Sequence, residues 1–373
     1  MYLPWSGPDA TAQAISQTPC EPGVQRLLLV AAAHADELDD LISALNARGV
    51  EYFGAVFPAL IEGAQRRDEG VIVQSMPLAG EVAIADLGGD TFSWTRPLPA
   101  VELDATKRHL LLVFVDFWTR CIPDLLDTLF DSYAGAVQYF GAGAGVGGRR
   151  TSRCLFTSEG AIESGALVAL VDLDGELCLR HGWRRVHGPL VATRTDGSDI
   201  RELNWRPAAE VYREVVGGFG YEGASDEELM GRNKRHALAI SLENNEDVVR
   251  DPIGFTSDGG LACLSQVPEN SVLHVTEGDT SALTEAAREA MTECAREFSG
   301  SAAVRCLVWD CYSRTLLMKE EFERELEAAR VALEAATPGL MMEGAVVLGE
   351  IASKGERLPD FHNKTVAVGL FNG

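Results

Sequence analysis

His109-Leu-Leu-Leu-Val-Phe-Val115, the polar Asp116, a helical run from Ile122 to Tyr133, and Val137-Gln-Tyr-Phe-Gly-Ala-Gly143 form one pattern that recurs in this chain. It is an apolar run, a polar turn, a helix with apolar residues three and four apart, and an apolar run closing on Gly-Ala, which reads as strand, helix, strand. The same order occurs earlier, as Arg26-Leu-Leu-Leu-Val30, the helical Glu37 to Ala47, and Val50-Glu-Tyr-Phe-Gly-Ala-Val56. It occurs again later, as Val304-Arg-Cys-Leu-Val-Trp309, the helical Leu316 to Leu333, and Leu340-Met-Met-Glu-Gly-Ala-Val346. Self-similarity of this kind has to be read before anything else, because it sets the architecture.

Tails follow two of the units. Gly54-Ala55-Val56 leads to Gly70-Val-Ile-Val-Gln-Ser-Met76, and Gly344-Ala345-Val346 leads to Lys364-Thr-Val-Ala-Val-Gly-Leu-Phe371. A duplication is the simplest account. Between the second and third units lie short alternating runs with glycine turns, such as Ala166 to Leu173 before Asp174-Gly175, Glu176 to Leu179, and Phe255 to Leu264 turning at Asp258-Gly259-Gly260. These imply antiparallel pairing. Helices are expected at Pro207 to Val216, Glu227 to His236 and Thr280 to Glu297. The glycine-rich Gly217 to Gly223 marks a boundary. The expected organisation is an N-terminal extension over 1–25 and two domains over 26–217 and 218–373. Its class is α/β with α+β character, built on mixed sheets and antiparallel hairpins.

Against 32 Lys and Arg stand 56 Asp and Glu, a formal charge of −24. That balance argues against a nucleic acid or an anionic membrane as partner, since phosphate neutralisation needs clustered basic residues. With 46% hydrophobic and 24% charged residues the chain has the composition of a globular protein. The amino terminus shows no basic region followed by an apolar run, and no apolar run is long enough to span a bilayer, so a cytoplasmic location is expected. The eight cysteines are scattered, without the paired spacings of a zinc site, and are expected to be buried and reduced.

Several stretches could carry chemistry. Gly141-Ala-Gly-Ala-Gly-Val-Gly-Gly148, with Gly141, Gly143 and Gly145, lets backbone amides approach a ligand closely, or else makes a tight bend between neighbouring backbones. It is no dinucleotide fingerprint, because Arg149-Arg150-Thr151-Ser152 and a strand follow it where a helix would be required. Cys311, Tyr312 and Arg314 follow the third unit's first strand, where open α/β sheets place binding loops, and Asp116 holds the matching place in the second unit. A guanidinium there can grip a carboxylate and lower a thiol's pKa; the alternative is a packed cysteine and a turn-closing arginine. Glu350 is either the partner of Arg314 or a contact for a ligand amine. The seven histidines (34, 109, 181, 187, 236, 274 and 362) show no metal-site spacing.

The order of these motifs resembles the FIST family, whose members carry consecutive FIST N and FIST C domains. The resemblance rests on Leu112-Val113-Phe114-Val115, Phe140-Gly-Ala-Gly-Ala-Gly145, Gly188-Pro189, Pro207-Ala208-Ala209-Glu210-Val211-Tyr212, Arg250-Asp251-Pro252-Ile253-Gly254, Cys311-Tyr312-Ser313-Arg314, Gly349-Glu350-Ile351 and Phe361-His362-Asn363-Lys364-Thr365. It covers roughly residues 26 to 373. The family's first unit usually carries Gly-Cys-Ser/Thr-x-Gly-Glu, where this chain has Gly54-Ala55-Val56-Phe57-Pro58-Ala59-Leu60 and so lacks the hydroxyl and the carboxylate. The resemblance implies a small-molecule-binding sensory protein, with an amino acid or another small acid as ligand. Its site is expected to draw on Cys311, Tyr312, Arg314, Glu350, Asp116, the Gly141 to Gly145 turn, His362 and Asn363. A signalling protein and a second copy of the chain are the partners it allows, with no metal. The alternatives are a haem-based nitric oxide sensor and an enzyme using Cys311.

Overall fold

The computed structural model describes residues 1–21, 23–100, 103, 109–148, 153–232, 234–242, 246–299 and 302–372. The Arg149 to Ser152 stretch considered above lies outside the described residues.

All three units form, and all three have the same five parts. The first comprises β1 (Val24–Ala31), α1 (Leu38–Asn46), β2 (Tyr52–Phe57), β3 (Ala59–Glu62) and β4 (Val71–Pro77). The second comprises β5 (His109–Asp116), α2 (Ile122–Tyr133), β6 (Val137–Ala144), β7 (Leu155–Thr157) and β8 (Gly165–Val171). The third comprises β9 (Arg305–Cys311), α3 (Phe322–Ala336), β10 (Met342–Val347), β11 (Glu350–Ser353) and β12 (Val366–Phe371). In each, the first two strands pair in parallel across the helix and the last returns antiparallel to the first. The tail that the sequence showed for two units exists in the second as well.

The third strand of every unit is given to another unit. β3 pairs with β10, β11 with β6, and β7 with β2, each antiparallel. This cyclic exchange closes three sheets about a pseudo-threefold axis. At the centre Phe57, Phe114 and Trp309, one from each unit, bring their ring centroids within 5.7 to 6.1 Å of one another, and Phe140 lies 5.3 Å from Trp309. Aromatic clusters of this geometry add to the burial of their large apolar area.

The recurrent Gly-Ala has a steric cause. Gly54, Gly141 and Gly344 sit in register with Leu28, Val113 and Val308. A Cβ at these glycines would lie 2.4, 1.8 and 1.9 Å from the carbonyl oxygens of those residues. Gly141→Ala or Gly344→Ala is therefore expected to lower stability by about 3 kcal/mol, read from the denaturant midpoint, through strain in a packed core.

Residues 184–277 are inserted between the second and third units as an eight-stranded antiparallel sheet, with helices Ala208–Val216 and Asp226–Arg232. Strands on both sides of the 217/218 boundary share this sheet, for Arg184–Asp196 pairs with both Asp199–Leu203 and Val272–Glu277. The turn at Asp258 to Gly260 joins a hairpin as expected. Gly165–Val171 and Gly175–Arg180, however, do not pair with each other: the former joins β5 and the latter joins β12. The expected helix Leu316 to Leu333 is also broken. It forms Tyr312–Met318 and Phe322–Ala336, separated at Lys319, whose φ is +52°. The bend carries Glu325 back against Arg314.

Candidate functional site

The carboxy-terminal motifs meet in one buried knot around Lys364. Arg314 has no exposed surface, and its five N–H donors are all engaged. Nε donates to Glu325 Oε1 at 2.8 Å, Nη2 to the same oxygen and to the Leu283 carbonyl at 3.2 Å, and Nη1 to the carbonyls of His181 (2.6 Å) and Lys364 (2.9 Å). Asp310 lies 3.3 Å from Nε. Lys364, also fully buried with φ +61°, pairs with Asp251 at 3.1 Å. The Trp183 ring faces both cations, 5.7 Å from the guanidinium carbon of Arg314 and 5.1 Å from Lys364 Nζ.

Cys311 accepts from the Lys364 amide at 3.1 Å and lies 3.2 Å from Ser313 Oγ. Burial, with Glu350 nearby, pushes its thiol well up, so the sulfur is held as a protonated thiol and has little nucleophilic character. All eight cysteines are free. Thermal unfolding with and without reductant is expected to give the same midpoint, and a drop on reduction would contradict this. Glu350 accepts from the Thr365 amide at 3.1 Å and from the Thr365 hydroxyl. Burial lifts its carboxyl to about 8. His362 is 1% exposed and burial lowers its imidazole to about 4; Asn363 donates to the His362 carbonyl at 3.0 Å.

The glycine-rich turn lies against the same knot through backbone packing. A Cβ at Gly143 would meet the Phe361 ring at 2.8 Å, one at Gly145 would meet Leu348 at 2.7 Å, and one at Gly147 would meet Tyr312 at 3.2 Å. Asp116 ends β5 and accepts from the Trp118 amide at 3.0 Å, fixing the turn into α2. The structure thus joins Cys311, Arg314, Glu350 and the 362–365 segment, sets Tyr312 beside the glycine turn, and leaves Asp116 buried at the turn into α2, next in sequence to Phe117 on the wall of a separate space.

That space is a cleft of about 900 Å³ between the amino end of α2, the inserted sheet and the 357–361 segment, which enters the strand Asp360–His362 beside β11. Phe117, Ile122, Leu126, Leu264 and Phe361 give it an apolar lining. Its charged groups were not singled out by sequence reasoning. Arg250, 3% exposed, donates from Nη2 to both carboxylate oxygens of Asp360 at 3.0 and 3.1 Å and from Nε to the Gln266 carbonyl at 2.6 Å. Burial alone would raise Asp360, but Arg250 and His362 hold it below the usual carboxylate range. Asp196 and Asp199 both face Arg201. Arg120 and Arg357 line the cleft with no carboxylate within ion-pairing distance among the described residues. The one signal available was the Arg250-Asp251 dipeptide, whose two charges clamp Asp360 and Lys364 from opposite sides.

A model of the FIST N domain matches residues 26–206 and one of the FIST C domain matches 208–353, so the chain belongs to the FIST family. FIST domains are associated with small-ligand binding and sensory signal transduction. No curated protein matches the chain. No helix among the described residues is long and apolar enough to cross a membrane. Haem requires an axial ligand, and the described residues lining the cleft include no His, Cys, Met or Tyr, so haem does not fit this cleft.

Proposed function

We propose that the protein is a sensor that binds a small organic acid, an amino acid included, in the cleft between α2 and the inserted sheet. The observation that carries this reading is the pair Arg120 and Arg357 on the wall of an apolar-lined cleft, two guanidiniums without acidic partners among the described residues in a chain with a large excess of carboxylates. A guanidinium fork matches a carboxylate in plane, and partial desolvation strengthens the bond. The amino end of α2 opens onto the same space and favours negative charge. Asp127, also on the wall, is the acid available to a ligand ammonium group. The apolar lining suits a short carbon skeleton, and pockets of this size commonly hold small molecules.

In this reading the Cys311–Arg314 and His362–Thr365 knot is the rigid backing of the cleft. It holds Phe361 and Asp360 in the wall, and any signal to a partner protein passes through movement of the 357–359 segment and the strand Asp360–His362 that follows it. Native mass spectrometry of the purified protein tests the reading. The expected result is an added mass of a small acid on the parent chain that is absent from Arg357→Ala. An adduct retained undiminished by Arg357→Ala and by Arg120→Ala would remove the cleft as its site.

A further inference from the structure

The third unit departs from its two sisters inside the core. Aligned on Gly54, Gly141 and Gly344, the place of Asp310 is taken by Val30 and Val115, and the place of Glu350 by Leu60 and Leu155. The strand partner of Glu350 is His362, where the second unit's hairpin pairs Leu155 with Ile162. The architecture therefore closes with aliphatic side chains at the places of Asp310 and Glu350, so ionisable groups there are not demanded by the fold, while the place of His362 is held by Ile162 in the second unit and Arg67 in the first. They are also poorly satisfied. Of the seventeen buried side-chain nitrogens and oxygens without a hydrogen-bond partner among the described residues, eight belong to Trp309, Asp310, Glu325, Glu350, His362 and Asn363. They include Glu350 Oε1 and both ring nitrogens of His362. Such groups are costly to bury, and their concentration at one place asks for a function.

We propose that Glu350 and His362 form a proton-binding site whose occupancy is coupled to that of the cleft. The inference rests on the cleft being the ligand site. Residues directly opposite on antiparallel strands carry their side chains on the same face, with Cβ atoms about 4.5–5.5 Å apart. Asp360 lies two residues before His362, on that same face, and reaches the cleft wall. Glu350 is faced by Thr365 and by Cys311, with Asp310 and Arg314 in electrostatic range; His362 is faced by Asp360, Arg250 and Arg357. Arg357 is thus common to the cleft and to the proton site. An anion bound on Arg357 offsets its charge and raises the proton affinity of the site behind it. The proton comes from solvent and binds Glu350 Oε1, with His362 on the neighbouring strand beside it and no other bond made or broken. By linkage, proton uptake on binding requires that affinity rise as pH falls. The lifted carboxyl of Glu350, at about 8, sets the window between pH 9 and 7.

Two measurements on the full chain test this. The infrared spectrum at pH 6 is expected to show a protonated buried carboxyl band that fades with a midpoint near pH 8 and is missing from Glu350→Gln. With L-glutamate as probe in weakly buffered solution at pH 8, an indicator dye is expected to report up to about half a proton taken up per probe bound by the parent, since Glu350 is already about half protonated there, and none by Glu350→Gln. A parent spectrum without that band overturns the proposal whether or not the probe binds, and does so even if the variant fails to fold. Probe binding without proton uptake overturns the coupling while leaving the cleft intact. A titrating band with no binding of L-glutamate or, in the same assay, of succinate overturns the coupling together with the small-acid reading, and leaves the buried proton as a feature of the fold alone.

Discussion

Arg314→Ala is expected to lower stability by about 3–5 kcal/mol, enough to leave much of the protein unfolded at ordinary temperature. The loss has two parts. Removing the guanidinium leaves Glu325 and Asp310 buried with no cation beside them, and it strips the carbonyls of His181, Leu283 and Lys364 of their donor. Those three carbonyls belong to segments far apart in the chain, so a single side chain ties the residues after Gly175–Arg180, the long helix Thr280–Glu297 and the turn before β12 to one another. Arg314→Lys is expected to recover only part of the loss, because an ammonium cannot reproduce the planar fork. Arg296, ion-paired to its neighbour Glu297 and largely exposed, is the control: Arg296→Ala should stay within about 0.5 kcal/mol of the parent. Chemical denaturation of the three variants measures this, and an Arg314→Ala midpoint equal to that of Arg296→Ala would contradict the knot.

Chains cut at the 217/218 boundary are expected not to fold separately. The amino-terminal piece would hold β6 without β11 at its side, and the carboxy-terminal piece would hold β9, β10 and β12 without β3 or Gly175–Arg180. Each cut exposes unpaired edges of buried strands, which is a route to aggregation. Co-expressed pieces should assemble, because the exchange of strands is non-covalent. The checks are circular dichroism and a cooperative unfolding transition for each piece alone and for the pair. A single piece that unfolds cooperatively would show that the cyclic exchange is dispensable.

The three units could be read from sequence because each is local: a hydrophobic run, a helix with period 3.6, and a second run ending at a glycine that cannot be replaced. Ile122–Tyr133 and Thr280–Glu297 form over the residues expected, the latter capped by Asp279, whose side chain accepts from the Ala282 amide at 2.9 Å. The exchange could not be read. Ala59-Leu60-Ile61, Leu155-Phe156 and Ile351-Ala352 are equally apolar, so alternation says which face is buried and nothing about which partner completes the edge. The short tail of the second unit, Gly165–Val171, is for the same reason indistinguishable in sequence from the inserted strands. At the site, an arginine after a strand has the same local signature whether it faces a ligand or an internal acid. Arg314 turned inward because Glu325 returns on the next helix, after a break at Lys319 that the periodicity of Leu316 to Leu333 concealed. Arg120 and Arg357 gave no signal at all, since an unpaired surface arginine is defined by what does not stand beside it.

The claim that the cleft binds a small acid through Arg120 and Arg357 is tested most directly by isothermal titration of L-glutamate and succinate into the parent, Arg357→Ala, Arg120→Ala and Arg296→Ala proteins. The account predicts saturable binding of at least one probe by the parent and by Arg296→Ala, with affinity lowered roughly tenfold or more in each cleft variant, as loss of a charge-assisted bond of about 1.5–3 kcal/mol requires. Equal affinities across all four proteins would contradict it.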